Sequence, residues 1–390
     1  MTTKKINDDT IKISGKIDST NAAEFEKNLF SAAGENYEDI TLDAAELEYI
    51  SSAGLRVLLK LKKSTKGKVS VINVSPEIYD IFNVTGFDNI LDVKKAMREL
   101  IVDKMELIGS GLSGSVYRTD KETVIKVFNK NVSPDMITGE SVKAKNALVL
   151  GVPTAISYDL VRVGESYGLV YELLDAKDLL DVIVNDRANI KEYIKKFALE
   201  MRKMHSIEVD DGFDDIKKVT ADYLGFLEGK VCTAEEVEKM RAIINSIPDR
   251  NTFIHGDAHI GNVMLQDNEF MFIDLSNTGK GHPIFDMVSM CLVFKLGQNV
   301  DEQTRKNSDL MRWFTVDEMK IMWDTYIRTY LDTDDKALIE KAEEQITAVA
   351  CTRALLATIA IPDHFSKELI EFFKNTAFAY FDKGLKPICF

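Results

Sequence analysis

Over the first hundred residues, apolar and polar positions alternate in short runs and then switch to spacings of three and four. Lys12-Ile-Ser-Gly-Lys-Ile17 and Asp39-Ile-Thr-Leu-Asp43 predict strands, and Val69-Ser-Val-Ile-Asn-Val74 predicts a buried strand. Thr20 to Phe30 predicts a helix, a second helix begins at Pro76, and Lys94-Lys-Ala-Met-Arg-Glu99 predicts a last amphipathic one. Between these, Tyr49-Ile50 ends a strand, and Ser51-Ser52-Ala-Gly-Leu55 opens a helix whose buried face carries Leu55, Leu58 and Leu59. Strands alternating with helices imply a small α/β domain.

From about Met105 the pattern changes. Gly109-Ser-Gly111-Leu-Ser-Gly114 leads through Ser-Val-Tyr-Arg118 and a polar turn, Thr119-Asp-Lys-Glu122, into Thr-Val-Ile-Lys126-Val-Phe128. The alternation after the glycines predicts a hairpin, whereas the glycine fingerprint of a dinucleotide-binding fold opens a helix. An apolar-periodic run opens at Glu140 and extends toward Leu150. Ile190, Ile194, Phe197, Met201 and Met204 recur at steps of three and four, which predicts a helix closed by His205. Thr252-Phe-Ile254, Val263-Met-Leu265 and Met271-Phe-Ile-Asp274 predict strands flanking a short loop, His255-Gly-Asp-Ala-His-Ile-Gly-Asn262.

That loop and Asp274 put two carboxylates and an amide on separate backbone elements facing one cleft, as phosphoryl transfer requires. Asp257 is the candidate acceptor of a substrate hydroxyl proton, Asn262 and Asp274 are candidate magnesium ligands, and His255 is expected to brace the loop. The alternative is that Asp257 and Asn262 only cap turns. Gly109, Gly111 and Gly114 over phosphates, with Lys126 on the next strand, form the nucleotide clamp of kinase-type folds. Lys126 is expected at the α/β-phosphates with Glu140 as its ion-pair partner; otherwise these are a surface strand lysine and a solvated helix glutamate. His259 and His282 read as structural members of their loops, since convergent His or Cys partners for zinc are lacking, and Asp286 reads as a brace or helix cap. Ser51 and Ser52 stand at a helix N-terminus, which favours an anion there, although spacing alone favours ordinary capping by serine.

Through His255-Gly-Asp-x-His-x-Gly-Asn262, Ile273-Asp274, Gly281-His-Pro-x-x-Asp286, Gly151-Val-Pro153 and the Met204-His205-Ser206 helix end, the chain from Met105 onward resembles the aminoglycoside phosphotransferase and choline kinase family. The resemblance implies an α+β bilobal protein-kinase-like domain over 104–390, with an N-lobe at about 104–172 and a mostly helical C-lobe at about 173–390. It further implies ATP (GTP is the alternative) and Mg as cofactors, a small-molecule hydroxyl substrate, and adenine against a linker that includes Glu172 and Leu173. Asp175-Ala-Lys177 stands where a glycine-rich turn is usual, and Ser276-Asn277 replaces the common residues after the metal-binding Asp. Residues 1–100 resemble an α/β STAS domain of the anti-sigma-factor antagonist type through Tyr49 to Leu59, Gly15-x-Ile-Asp18 and Phe82-x-x-x-Gly86-Phe87. This resemblance implies Ser52 as a phosphorylation site and an anti-sigma-factor-like protein as partner, with Ser51 in place of the usual aspartate.

The net charge is −14, with 14 basic and 16 acidic residues over 1–100 and 35 basic and 47 acidic in the rest. This disfavours nucleic acid as a partner and favours a cationic or neutral substrate. Cys232, Cys291, Cys351 and Cys389 are far apart and form no C-x-x-C, which suits reduced thiols in cytoplasm. The start of the chain lacks an apolar signal core, and the apolar run near Ala348 is broken by Arg353, so neither export nor a membrane span is expected. The leading expectation is a phosphotransferase with a regulatory N-terminal domain. Alternatives are a switch whose kinase domain phosphorylates Ser52 and a catalytically inert binding module. Retention of Lys126, Asp257, Asn262 and Asp274 argues against the last.

Overall fold

A computed structural model describes residues 1–390 apart from 8, 35–37, 112, 211 and 363–364. It divides into two compact units, Met1–Ile101 with Leu160–Glu165, and Val102–Asp159 with Ser166–Phe390.

In the first unit, β1 (Thr2–Lys5), β2 (Thr10–Ile17), α1 (Ala22–Ala33), β3 (Ile40–Ile50), α2 (Ser52–Ser64), β4 (Val69–Val74), α3 (Pro76–Val84) and β5 (Asp92–Lys95) follow in order. The sheet runs β1-β2-β3-β4-β5, with β1 antiparallel and the remaining pairs parallel. Parallel neighbours need crossovers, which the helices supply. Ile11, Ile13 and Ile17 of β2 and Leu42 of β3 pack in one core with Leu55, Val57, Leu58 and Leu61 of α2. Leu59, expected on the buried face of α2, is only half-buried, because the face in contact centres on Leu58 and Leu61.

The helix expected over 94–99 does not form. Residues there belong to β5 and to β6 (Arg98–Glu99). Ala96 and Met97, the apolar members of that run, are exposed, so a helix would have had nothing to bury. Instead Val93 aligns with Val71 in the parallel ladder and packs on the core, and Arg98 and Glu99 align with Val161 and Arg162 within the same unit.

The second unit opens with β7 (Glu106–Gly111), β8 (Gly114–Arg118) and β9 (Thr123–Phe128), an antiparallel run of two hairpins. Next come α4 (Pro134–Val149), capped by Ser133, and β10 (Ser157–Val163), whose residues from Leu160 onward group with the first unit. Glu140 thus sits within α4 rather than at its start. Strand β11 (Ser166–Glu172) pairs antiparallel with β9, aligning Leu169 with Lys126.

After β12 (Lys177–Asp178) the chain is mainly helical, with α5 (Leu179–Asn185), α6 (Ile190–Met204), α7 (Ile216–Tyr223) and α8 (Ala234–Asn245). Four short strands interrupt it: β13 (Thr252–Ile254), β14 (Val263–Gln266), β15 (Glu269–Phe272) and β16 (Gly279–Gly281). Pairing of β13 with β16 and of β14 with β12 and β15 holds the loop 255–262 and the segment after β15 beside one another. The strand expected to include Asp274 ends at Phe272, and Asp274 takes a left-handed backbone, φ 59°. Helices α9 (Ile284–Met290), α10 (Glu302–Asn307), α11 (Val316–Leu331), α12 (Lys336–Ala360) and α13 (Lys367–Asp382) complete the unit. Phe197 of α6 stacks on Tyr326 of α11 at 5.8 Å within a core that extends to Phe253, Ile260, Met290 and Leu355. Among the described residues no helix is long and apolar enough to cross a membrane.

Candidate active site

The loop after β13 is held from beneath. Asp286, fully buried in the first turn of α9, accepts hydrogen bonds from the His255 N–H (2.8 Å), the Gly256 N–H (2.6 Å) and His205 Nε2 (3.0 Å). It is therefore a brace, and not the helix cap that was the other expectation. Burial works to raise its carboxyl, but His205 and the loop amides outweigh this and hold it below the ordinary range. The Tyr330 hydroxyl lies 2.7 Å from the other ring nitrogen of His205. His255 donates from Nε2 to the Ile273 carbonyl (3.1 Å) and accepts from the Asp257 N–H at Nδ1 (3.3 Å), so it braces the loop as expected. Gly256 has φ 85°, and a Cβ there would stand 2.2 Å from the Asn277 carbonyl oxygen, so only glycine fits. His259 accepts from the Gly261 N–H at 3.1 Å, and His282 accepts from Ile284 N–H and donates to the Phe390 carbonyl, both structural roles.

This bracing leaves the Asp257 side chain 43% exposed. Asn262 Nδ2 donates to the Asp257 carbonyl (2.9 Å) and reaches its Oδ2 at 3.4 Å, while Ser289 Oγ of α9 donates to Oδ1 at 3.2 Å. The Asn262 carbonyl in turn accepts from Ile273 N–H at 3.0 Å, which ties the loop to the segment bearing Asp274.

Lys126 of β9 reaches into the same place. Its ammonium lies 2.9 Å from Glu140 Oε1 of α4 and 3.1 Å from Asp274 Oδ1, with Lys126 and Glu140 13% and 8% exposed. Burial depresses the ammonium's pKa, but the Asp274 and Glu140 carboxylates outweigh this and raise it, so the lysine stays charged. For Asp274 burial pushes upward, and Lys126 together with the Ser276 hydroxyl, 3.0 Å away, brings the net shift down. The Tyr171 hydroxyl also donates to Glu140 Oε1 (3.0 Å), and burial pushes that phenol far above its ordinary value.

The glycines divide by geometry. A Cβ on Gly114 would lie 2.0 Å from the Val127 carbonyl oxygen, whereas the space beside Gly111 is open and Gly109 meets only Val116, at 3.9 Å. Gly114 is thus required by the β8–β9 pairing, and Gly111, its partner in the β7–β8 hairpin, keeps an uncrowded backbone at the hairpin's tip. Glu172 and Leu173 are not drawn into the Lys126 cluster: the Glu172 N–H donates to Ile156 O (2.9 Å), and the Leu173 N–H donates to Glu122 O (2.7 Å). In the first unit, Ser51 Oγ accepts from Gly54 N–H and caps α2, leaving Ser52 exposed as the helix's first residue.

Ser289, Tyr171, Ser276 and Arg353 were not singled out as site residues from sequence. Ser289 stands one helical turn after Asp286, and Arg353 is a lone charge in an apolar run. Both were weak signals that a polar partner lies across the core. Among the described residues no three His, Cys, Asp or Glu side chains are grouped to hold a metal by themselves. One carboxylate and one amide oxygen completed by phosphate oxygens suit magnesium, which seldom takes an all-protein cage. Asn262 fits this set because its Nδ2 is engaged with Asp257, which frees its Oδ1.

A lysine–glutamate pair behind a glycine hairpin, opposite a braced loop with Asp257 and Asn262, defines a kinase-type phosphotransferase. Residues 104–314 match the model of the phosphotransferase enzyme family and residues 1–100 that of the STAS domain. The chain belongs to the phosphotransferase enzyme family and carries an N-terminal STAS domain. Over 84 residues it is 32% identical to the "Putative anti-sigma factor antagonist BtrV" of Bordetella bronchiseptica, covering 21% of this chain and 72% of that protein. Among solved structures it is similar to a choline/ethanolamine kinase family protein from Mesorhizobium loti (16% identity, TM-score 0.45, 70% of this chain and 85% of that one). It is also similar to the ADP-bound aminoglycoside phosphotransferase APH(2'')-Ib (15% identity, TM-score 0.47, 78% and 98%).

Proposed function

We propose that this protein is an ATP- and magnesium-dependent phosphotransferase that acts on the hydroxyl of a small molecule, with its STAS domain as a regulatory module. The observation that carries the reading is the convergence of Lys126, Glu140 and Asp274 within 3.1 Å contacts, on a segment hydrogen-bonded to Asn262 of the Asp257 loop. Asp257, accessible and oriented by Ser289 and Asn262, accepts the proton of the attacking hydroxyl. Lys126, aimed by Glu140, binds the α/β-phosphates, and the β7–β8 hairpin covers them. Asp274 and Asn262 hold magnesium, which when bound supplies neutralisation of the phosphate oxygens. An excess of acidic over basic residues outside 1–100, 47 against 35, favours a cationic or neutral acceptor. Reduced thiols at buried Cys232, Cys291 and Cys351 suit work in the cytoplasm.

The experiment is a screen of hydroxylated and amine-bearing compounds for ADP release from Mg·ATP, run beside Asp257→Asn. With an active acceptor, loss of the base should cut turnover by roughly 10²–10⁴ while Mg·ATP still binds. Undiminished ADP release by Asp257→Asn would remove Asp257 from its role.

A second reading rests on Ser52, which is exposed while its neighbour Ser51 supplies the cap. A phosphate at Ser52 would change the surface of the STAS domain without taking away that cap, and so could switch an anti-sigma-factor-like partner. Mass-spectrometric mapping after incubation with Mg·ATP separates the two readings. Label at Ser52 that vanishes in Asp257→Asn supports self-modification, and ADP release that needs an added compound supports the small-molecule kinase.

A further inference from the structure

Helix α12 is apolar through its C-terminal half, and Arg353 lies among the buried residues Cys351, Thr352, Ala354 and Leu355. A guanidinium withdrawn from water is costly unless its donors are satisfied. Arg353 is itself half-buried, and two of its N–H donors are taken by backbone carbonyls on the loop side. One Nη donates to the Phe285 carbonyl at 2.7 Å, the other to the Gly256 carbonyl at 3.0 Å.

The Gly256 carbonyl belongs to the peptide that carries the N–H of Asp257. That N–H faces His255 Nδ1, and the Gly256 N–H is taken by Asp286 at 2.6 Å. Gly256 is held in the left-handed region, a conformation that glycine can leave easily. Asp286 therefore fixes one side of this flexible residue, and Arg353 fixes the other. Burial pulls the guanidinium below its ordinary value, and the carboxylates of Asp286 and Asp257 oppose that pull.

We propose that Arg353 is a positioning residue for the transfer reaction: by holding the Gly256–Asp257 peptide plane, it sets the direction in which Asp257 presents its carboxylate. This rests on the reading of Asp257 given above. Lysine is a poor replacement, because one ammonium on a flexible stem does not reproduce a planar fork aimed at two carbonyls.

The test uses the full chain with Arg353→Lys, Arg353→Met and Asp257→Asn. Amide hydrogen exchange is followed by mass spectrometry in the peptide spanning 254–262, and kcat and KM for Mg·ATP are taken from ADP release. Arg353→Met is expected to raise exchange in that peptide about tenfold and to lower kcat about 10²-fold, the cost of a displacement of about 1 Å at the reacting group, with KM within about twofold. Arg353→Lys should lie between, and millimolar guanidinium should restore part of the turnover of Arg353→Met. Loop exchange equal to wild type in both Arg353 variants overturns the proposal. So does wild-type turnover in both when Asp257→Asn has lost it. If Arg353→Met does not fold, the same criteria apply to Arg353→Lys. If Asp257→Asn turns over as wild type does, the reading of Asp257 fails, and the exchange data alone then judge whether Arg353 holds the peptide.

Discussion

At the scale of single residues, charge in this site is settled by partners more than by depth. Asp286, Asp274 and Lys126 all lie where burial favours the neutral form, and each is nevertheless kept charged by opposite charges or hydrogen bonds at 3.1 Å or less. His282 behaves differently. It is 1% exposed, its Nδ1 accepts from Ile284 N–H and its Nε2 donates to Phe390, so both ring nitrogens are engaged as a neutral imidazole. Burial pushes its pKa down to about 4. Because the unfolded chain takes up this proton near pH 6.5 and the fold only near 4, the stability His282 contributes is present above pH 6.5 and lost as pH falls toward 4. The shift corresponds to at most about 3 kcal/mol. Urea midpoints measured from pH 7 to 4.5 should therefore fall more steeply for wild type than for His282→Gln. Equal slopes would mean that the imidazole takes up its proton at the same pH in the fold as in the unfolded chain.

Secondary-structure elements supply the distances. Strand β9 can pair closely with β8 and present Lys126 because Gly114 of β8 lets the Val127 carbonyl oxygen of β9 come within 2.0 Å of where a side chain would begin. Gly114→Ala must push β8 away from Val127 and is expected to cost about 1–3 kcal/mol, as overpacking does. Gly111→Ala, facing open space, should leave the melting temperature unchanged and affect only the affinity for Mg·ATP. Thermal melts and nucleotide titrations of the two variants check this, and equal losses of stability would show that Gly111 is as crowded as Gly114, its partner across the hairpin's tip. The 94–99 segment makes the same point about elements. Its charges and two apolar residues fit a helix drawn on paper, but Val93 had a ladder and a core to join, and Ala96 and Met97 had neither. In α2 the two adjacent serines divide their work, since only Ser51 has the extended backbone of a cap, φ −87° and ψ 169°.

On the scale of the whole molecule, the site needs parts from well-separated stretches of the second unit, so a ligand that bridges them should stabilise that unit. At a hundred times its dissociation constant, Mg·ATP should add about 2.7 kcal/mol, with exchange protection over β7 to β9, α4 and the 255–274 region. A melting temperature indifferent to Mg·ATP would count against nucleotide binding at Lys126. Local pattern by itself determined much of this protein: the alternating runs of β8 and β9, the helical spacing of α6, and the motif-bearing loop with Asp257, Asn262 and Asp274 nearby in the chain. It determined them because backbone periodicity and turn chemistry are expressed over a few neighbouring residues. Only the tertiary structure decided that Asp286 grips a loop 31 residues upstream, that Arg353 reaches across 97 residues to Gly256, and that the amides of Glu172 and Leu173 are already engaged. Polar partners across a core leave no period in the sequence. Their pairing follows from which apolar faces pack together, and hydrophobic spacing names a buried face without naming its neighbour.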